Sequence, residues 1–515
     1  MESVDRISEL PEFILHIILS FLDTKEACQT SVLSKKWHAA WSSVPVLDFQ
    51  PQYFKKAGSP HSEKLERDFY DRNTLLSYLG FINKTMARYC SEKHGIRKFC
   101  LEIPLFEGTL KPLIDKWIEV AVQNKVEELD IMVIIEDSGD YTLPEFLFSA
   151  RSLKVLKGDK VVMPNYPTMK LFSLEYLVLT RAAIDDDMLQ RIITDCPLIA
   201  LDFSDCSGLE STVPCINKSH KDDVAGNYNR TSTLQRFSYF NCFECPWRPW
   251  HMNIAALRNL RKVEITSSDI TDDLVVELAS GLAVLEKLVL NKCVLLNCVK
   301  VSSVSLRKLI VVGCYMLEKL TIDAPNLIRF ELYSELKFAP STINDTTELM
   351  PALSFINVQD SCVANLFVWV EFPCTQWFVK LREFLLGAKI FKVIEMTFSP
   401  ESVYQITVDE DHLRRINTGT PYKLKELKLF RTWDWGLEKS SLAAFLDGLF
   451  WSCHPYVLTI PTSFQNPTVE LILGILKDKV RCPNDPLKGI EVEVVDYSRL
   501  LSFAYHVEIR LRLCW

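Results

Sequence analysis

"LRKVEITSSDITDDLVVELASGLAVLEKLVLNKCVLLNCVKVSSVSLRKLIVV" runs from Leu260 to Val312 and carries one short pattern three times. The pattern is apolar, two others, apolar, one other, apolar. It appears as Leu260/Val263/Ile265, Leu285/Leu288/Leu290 and Leu306/Leu309/Val311. The last two members of each copy are separated by one residue, so in a strand they point to the same face. The first member sits at the turn into that strand, where it can plug a core. Copies start 25 and then 21 residues apart, which leaves room for one strand and one return segment per unit.

The same pattern extends in both directions. Upstream it reads Ile96/Phe99/Leu101, Val126/Leu129/Ile131, Leu174/Leu177/Leu179 and Leu198/Leu201/Phe203. Downstream it reads Leu317/Leu320/Ile322, Leu327/Phe330/Leu332, Phe391/Ile394/Met396, Leu424/Leu427/Leu429 and Pro455/Leu458/Ile460. Spacings in the twenties are those of leucine-rich repeats. Return segments such as 185–197, 268–282 and 440–453 have helical apolar spacing. Two of them open with Asp residues suited to helix N-termini. Neither the strand nor the helix of one unit can bury its apolar side alone, so neighbouring units must stack. Spacings of 11 and 10 around Leu317 leave no room for a helix, and the chain there must pass quickly from strand to strand. The polar stretch 219–233 reads as an exposed loop.

The expected fold class is α/β. A small three-helix module leads an irregular leucine-rich-repeat solenoid, with parallel strands on the concave side and helices or turns on the convex side. The expected divisions are 5–45 for the module, 46–95 for a linker and helix, 96–460 for the repeats and 461–515 for a C-terminal cap. In the last region, 471–480 reads as a helix, and 489–498 and 505–513 alternate like strands.

Leu10-Pro11 opens the first module, followed by Ile14, Ile17, Ile18, Phe21 and Leu22 at helical spacing. Asp23 and Ser34 can cap two further helices, the last bearing Trp37 and Trp41 one turn apart. Three short helices hold little interior, so the module is marginal alone and its spare apolar surface needs a partner. The Leu-Pro start, the run from Ile14 to Leu22 and the close Ser34-Lys35-Lys36-Trp37 resemble the F-box, and with the repeats the chain resembles plant F-box/leucine-rich-repeat proteins. The resemblance implies the substrate-recognition adaptor of a Skp–cullin–F-box ubiquitin ligase. The F-box docks on the Skp adaptor and, through it, on cullin. The repeats hold a target protein, whose lysines are thereby concentrated near the conjugating enzyme. Carried over from the family, the Skp-facing residues are Leu10, Pro11, Ile14, Ile18, Leu19, Leu22, Leu33 and Trp37.

The composition is that of a globular protein, 48% hydrophobic and 24% charged over 515 residues. A net charge of −8 disfavours nucleic-acid binding. An acidic N-terminus and the absence of a long apolar run predict no secretion signal and no membrane span. The sixteen cysteines then read as reduced thiols of a nuclear or cytoplasmic protein. Cys242 and Cys245 form a Cys-x-x-Cys without a second ligand pair, so no metal site is expected. No catalytic signature or cofactor motif is present, which predicts a non-catalytic subunit. Trp247 and Trp250 in a Pro-rich loop, and Trp433 and Trp435 after a strand, are candidate substrate anchors. Arg261, Lys262, Lys287, Arg307 and Lys308 follow the first Leu of successive copies, some of them in one register. The competing function is a repeat scaffold, or a small-molecule-gated receptor, that does not assemble stably into a ligase.

Overall fold

The computed structural model describes residues 10–51, 72–91, 95–103, 108–133, 141–166, 169–208, 233–241, 257–266, 270–336, 350–370, 373–398, 408–416, 419–430, 439–462, 467–483, 485–496 and 507–515. The chain divides into two compact units, Met1–Leu260 and Arg261–Trp515.

The first unit begins with helices α1 (Glu12–Leu19), α2 (Thr24–Thr30) and α3 (Lys35–Ser42). The chain continues into β1 (Val46–Phe49), α4 (Arg72–Ser91), β2 (Lys98–Ile103), α5 (Lys111–Gln123) and β3 (Glu128–Val133). Then follow β4 (Tyr141–Thr142), β5 (Val155–Asp159), β6 (Val161–Met163), β7 (Tyr176–Thr180), β8 (Ala183–Ile184), α6 (Asp186–Asp195), β9 (Ala200–Ser204) and β10 (Arg236–Phe240). Strands β1, β2, β3, β5, β7, β9 and β10 pair in that order, all parallel. The short strands β4, β6 and β8 form a second parallel sheet. Residues 46–49, which the sequence reading placed at the head of a linker, are therefore the first strand of the main sheet.

The second unit holds β11 (Lys262–Thr266), α7 (Asp272–Gly281), β12 (Lys287–Asn291), β13 (Cys298–Ser302), β14 (Lys308–Val312), β15 (Lys319–Asp323) and β16 (Arg329–Leu336). It continues with β17 (Ala352–Ile356), β18 (Val363–Val370), α8 (Thr375–Ala388), β19 (Phe391–Phe398), α9 (Glu410–Arg415), β20 (Tyr422–Phe430) and α10 (Lys439–Ser452). The last elements are β21 (Cys453–Thr462), α11 (Pro467–Arg481), β22 (Gly489–Asp496) and β23 (Val507–Cys514). Its main sheet runs β11, β12, β14, β16, β18, β19, β20, β21 in parallel. Strand β23 then joins β21 antiparallel, and β22 joins β23 antiparallel.

The close spacings around Leu317 are explained by β13, β15 and β17, which form a separate parallel sheet. Leu317/Leu320/Ile322 lies on that sheet and not in the main one. Leu306 and Leu327 are the consecutive main-sheet positions, one full coil apart. A coil of this kind has a strand on each side and no helix.

One hydrogen-bond device fixes the stacking. The carbonyl of Arg261 accepts from the amides of Glu286 and Lys287, that of Glu286 from Arg307 and Lys308, and that of Arg307 from Ile328 and Arg329. Each turn thus takes two donors from the next coil and sets its register before the strand begins. The Asn297 carbonyl does the same on the second sheet, accepting from Glu318 and Lys319. One coil earlier the return segment is helix α7, and no strand carbonyl is available. There the Asp272 carboxylate accepts from the amides of Asn297 and Cys298 at 2.9 and 2.8 Å. Asp272 stands in the first turn of α7, where a carboxylate suits the helix dipole, and its side chain also caps the next coil.

Just beyond the main-sheet strands the chain repeatedly enters the left-handed region, at Lys160, Arg181, Asp205, Lys292 and Gly313. The next residue turns inward. At three of these turns it is a cysteine, and the thiols of Cys206, Cys293 and Cys314 donate to carbonyls of the preceding coil and their own strand end. This is the Asn/Cys position of a leucine-rich repeat. It gives several of the cysteines a structural role.

Candidate partner-binding surfaces

Helix α1 carries apolar residues on most of its circumference, so its own periodicity does not choose an inward face. The choice comes from α3. His16 Nε2 lies 3.1 Å from the Ala40 carbonyl and 3.1 Å from Ser43 Oγ, which rotates α1 so that Leu15 and Leu19 enter the interior. The Asp23 carboxylate accepts from the Glu26 amide at 2.7 Å and starts α2. Ser34 Oγ accepts from the Trp37 amide at 3.3 Å and starts α3. Both caps stand where the sequence predicts them.

The module is fastened to the sheet beside it. The Asp48 amide of β1 donates to Thr24 Oγ1 at 2.6 Å. The Tyr89 hydroxyl of α4 donates to the Val44 carbonyl at 2.7 Å, and the Arg88 guanidinium lies 4.3 Å from the centre of a Trp41 ring. Burial pushes the Tyr89 hydroxyl above its ordinary range, so it stays a donor at neutral pH.

What is left outside is apolar. Phe13 is 63% exposed, Ile17 49%, Phe21 82%, Val32 85% and Leu33 64%. Phe13, Ile17 and Phe21 recur every four residues along α1 and its end. Val32 and Leu33 occupy the turn between α2 and α3. Five large apolar side chains on so small a module form a surface that calls for a protein partner. Of the residues predicted to face a partner, Pro11 and Leu33 are exposed, and Leu10, Ile14, Ile18 and Leu22 are partly so. Leu19 and Trp37 are interior. Phe13, Ile17, Phe21 and Val32 are exposed and stand outside that predicted set. The tryptophan candidates Trp247, Trp250, Trp433 and Trp435 lie outside the described residues, as do Cys242 and Cys245.

On the main sheets every second strand residue faces away from the core. In the first unit these positions are rich in carboxylates. Burial raises the carboxyl pKa values of Asp48, Glu102 and Asp130; repulsion from neighbouring carboxylates adds to it, and Lys98 at Asp48 and Lys157 and Lys98 at Asp130 partly offset it. Lys98 and Lys157 lie 3.8 and 3.9 Å from Glu128 and Asp130. In the second unit a row of cations, Lys262, Lys287, Lys308 and Arg329, stands in register on adjacent strands.

Residues 7–49 match the F-box domain. Residues 91–222 and 229–369 match the repeat family described as "At1g61320/AtMIF1, LRR domain", together more than half of the chain. The chain belongs to the plant F-box/leucine-rich-repeat family. Relatives from Arabidopsis thaliana include the putative F-box/LRR-repeat protein At3g18150, 31% identical over 40% of this chain and 39% of that one. F-box/LRR-repeat protein 13 is 28% identical over 46% of each. The FBD-associated F-box protein At4g13985 is 27% identical over 46% of this chain and 48% of its own. The chain thus spans less than half the length of these curated relatives.

Proteins of this family typically serve as non-catalytic adaptors. Among the described residues, no group of three or more His, Cys, Asp and Glu is placed to hold a metal ion, and no helix is long and apolar enough to cross a membrane.

Proposed function

We propose that this chain is the substrate-recognition subunit of a Skp–cullin–F-box ubiquitin ligase, acting in the nucleus or cytoplasm. The F-box docks on Skp and thereby on cullin, and the repeats hold a target protein for ubiquitination. The chain itself makes and breaks no bond. It shortens the distance between target lysines and the charged conjugating enzyme, which raises their effective concentration.

The observation that carries this reading is the exposed apolar face of Phe13, Ile17, Phe21, Val32 and Leu33 on a module that matches the F-box. The fastening of that module to β1 supports it further, because a rigid joint turns Skp docking into a fixed position for the repeats.

The test is a pull-down of Skp by the purified full chain and by the double variant Leu10→Ala/Pro11→Ala. Retained Skp is expected to fall sharply while the circular dichroism of the repeats is unchanged. Unchanged Skp recovery would remove the α1 edge from the interface, and absence of Skp binding by the unmodified chain would overturn the adaptor reading.

A further inference from the structure

The open face of the second unit's sheet carries a pattern that the first unit's sheet lacks. Lys262, Lys287, Lys308 and Arg329 are direct lateral partners on β11, β12, β14 and β16. Adjacent strands lie about 4.8 Å apart, so the four cations form a row about 14 Å long. The next row along the strands reads Glu264, Val289, Ile310, Glu331. Glu264 pairs with Lys287, while Glu331 takes Lys308 at 3.1 Å and also pairs with Arg329. The third row contributes Val312, Tyr333 and Phe367, and Trp369 lies beyond it on β18. The rings of Tyr333 and Phe367 are stacked 3.9 Å apart, and Trp369 is exposed.

Within these three rows, over β11 to β18, four cations face two carboxylates, a positive excess in a chain whose net charge is −8. The corresponding rows of the first unit hold Lys98, Lys157 and Arg236 against Asp48, Glu102, Glu128, Asp130, Asp159 and Asp202. The same sheet architecture therefore presents opposite charge in the two units. In the second unit this charge stands beside the stacked pair Tyr333 and Phe367.

We propose that this face of the second unit holds the target protein, and that it takes an extended segment in which acidic residues alternate with aromatic or aliphatic ones. The segment lies across the strands over Val289 and Ile310. Side chains of an extended chain alternate from one side to the other. One set reaches back to the cation row and the other forward to Tyr333 and Phe367, each row being about 6.6 Å away, two strand residues at the usual rise, with Trp369 two residues further along β18 to extend the aromatic side of the face. At about 3.4 Å per residue, four or five residues of the segment span the row. The proposal deepens the adaptor reading and takes its biological meaning from it, but the binding event needs no Skp.

The experiment is panning of a phage-displayed random twelve-residue library on the purified full chain. Enriched sequences are expected to alternate Asp or Glu with aromatic or aliphatic residues. Their binding, measured with the synthetic peptides, should weaken at least ~10-fold in Lys262→Glu and in Trp369→Ala, and weaken with added salt. Both substituted side chains are exposed, so circular dichroism is expected to stay unchanged. Lys98→Glu, on the first unit's sheet, should leave peptide binding intact. No enrichment, enrichment of basic or uncharged sequences, equal binding to the two face variants, or equal loss in Lys98→Glu would each overturn the proposal. Skp pull-down on the same variants separates the two readings. Skp retained with no acidic peptide selected leaves the adaptor reading standing and removes this face. Peptide selected without Skp binding does the reverse.

Discussion

Phe21→Ala is the most direct probe of the F-box face. The side chain is 82% exposed and contributes almost nothing to the interior. Complete burial of a phenylalanine side chain is worth about 1.5–3 kcal/mol. Scaled by the exposed fraction, the contact available to a partner is about 1.2–2.5 kcal/mol, or roughly an 8- to 60-fold rise in Kd. Leu15→Ala is the matched control. Leu15 is fully buried one turn and a half away, and its truncation should cost about 2–5 kcal/mol of folding stability. Calorimetric titration with a purified Skp adaptor reads the first effect, and urea unfolding reads the second. Phe21→Ala is expected to unfold like the unmodified chain and to bind Skp weakly. If it binds Skp at full strength, the exposed side chain is not part of the interface. If it unfolds as readily as Leu15→Ala, the division between interior and outward faces of α1 is wrong.

Three further outcomes follow from the second unit's packing and from the turns. A Cβ on Gly448 of α10 would stand 2.6 Å from two ring carbons of the buried Phe378, whereas Gly474 of α11 faces open space. Gly448→Ala should therefore cost about 1–3 kcal/mol and Gly474→Ala should stabilise by about 0.5–1 kcal/mol in urea titrations; equal effects would contradict the α8–α10 packing. Burial, with the nearby Arg382 charge adding to it, holds the His454 imidazole down to about 4, and the ring stacks on Trp515 at 4.0 Å. The unfolded chain protonates this histidine near pH 6.5 and the folded chain does not, so folding stability should fall as pH drops from about 6.5 towards 4. Partial exposure limits the loss to about 1–2 kcal/mol. Unfolding curves of His454→Gln should lack that part of the acid loss, and parallel curves would refute it. Lys160 is held at φ +54° in a recurring turn, so Lys160→Gly should gain up to about 1 kcal/mol in thermal or urea unfolding; a loss would mean that the side chain holds something there.

Much of the fold is legible because leucine at fixed spacing has one physical explanation, a core shared between stacked coils. Leu129, Leu177, Leu288 and Leu309 are all fully buried at the positions the pattern assigns. Strand β18 escaped because its inward residues include Ala364 alongside Leu366, with Cys362 at the turn. A small side chain fills the space there opposite large neighbours such as Phe330 and Phe391, and composition alone does not report that. Strand β10 escaped because Leu234 and Phe237 follow a long polar stretch with no preceding copy at repeat distance. The second sheet was hidden for a different reason. Its strands obey the same apolar pattern as the main ones, and only the half-coil spacing tells them apart. The F-box surface was least legible. An apolar residue on α1 can face in or out, and the hydrogen bonds of His16 to α3 decide which. Trp37, read as a contact, has its side chain enclosed by the module itself.

The return from strand to strand in a single turn has an evolutionary consequence. Leu306 and Leu327 are equivalent points on successive coils, and so are Lys308 and Arg329. Excision of residues 306–326 would bring β16 beside β12 and β17 beside β13 with every inward and outward side chain still correctly directed. Gene-level gain or loss of a 21-residue block is thus a silent edit to the architecture. It lengthens or shortens the open sheet face by one strand, about 4.8 Å, without disturbing the rest. A chain built in this way can change the length of its open sheet face far more readily than it can change how it folds.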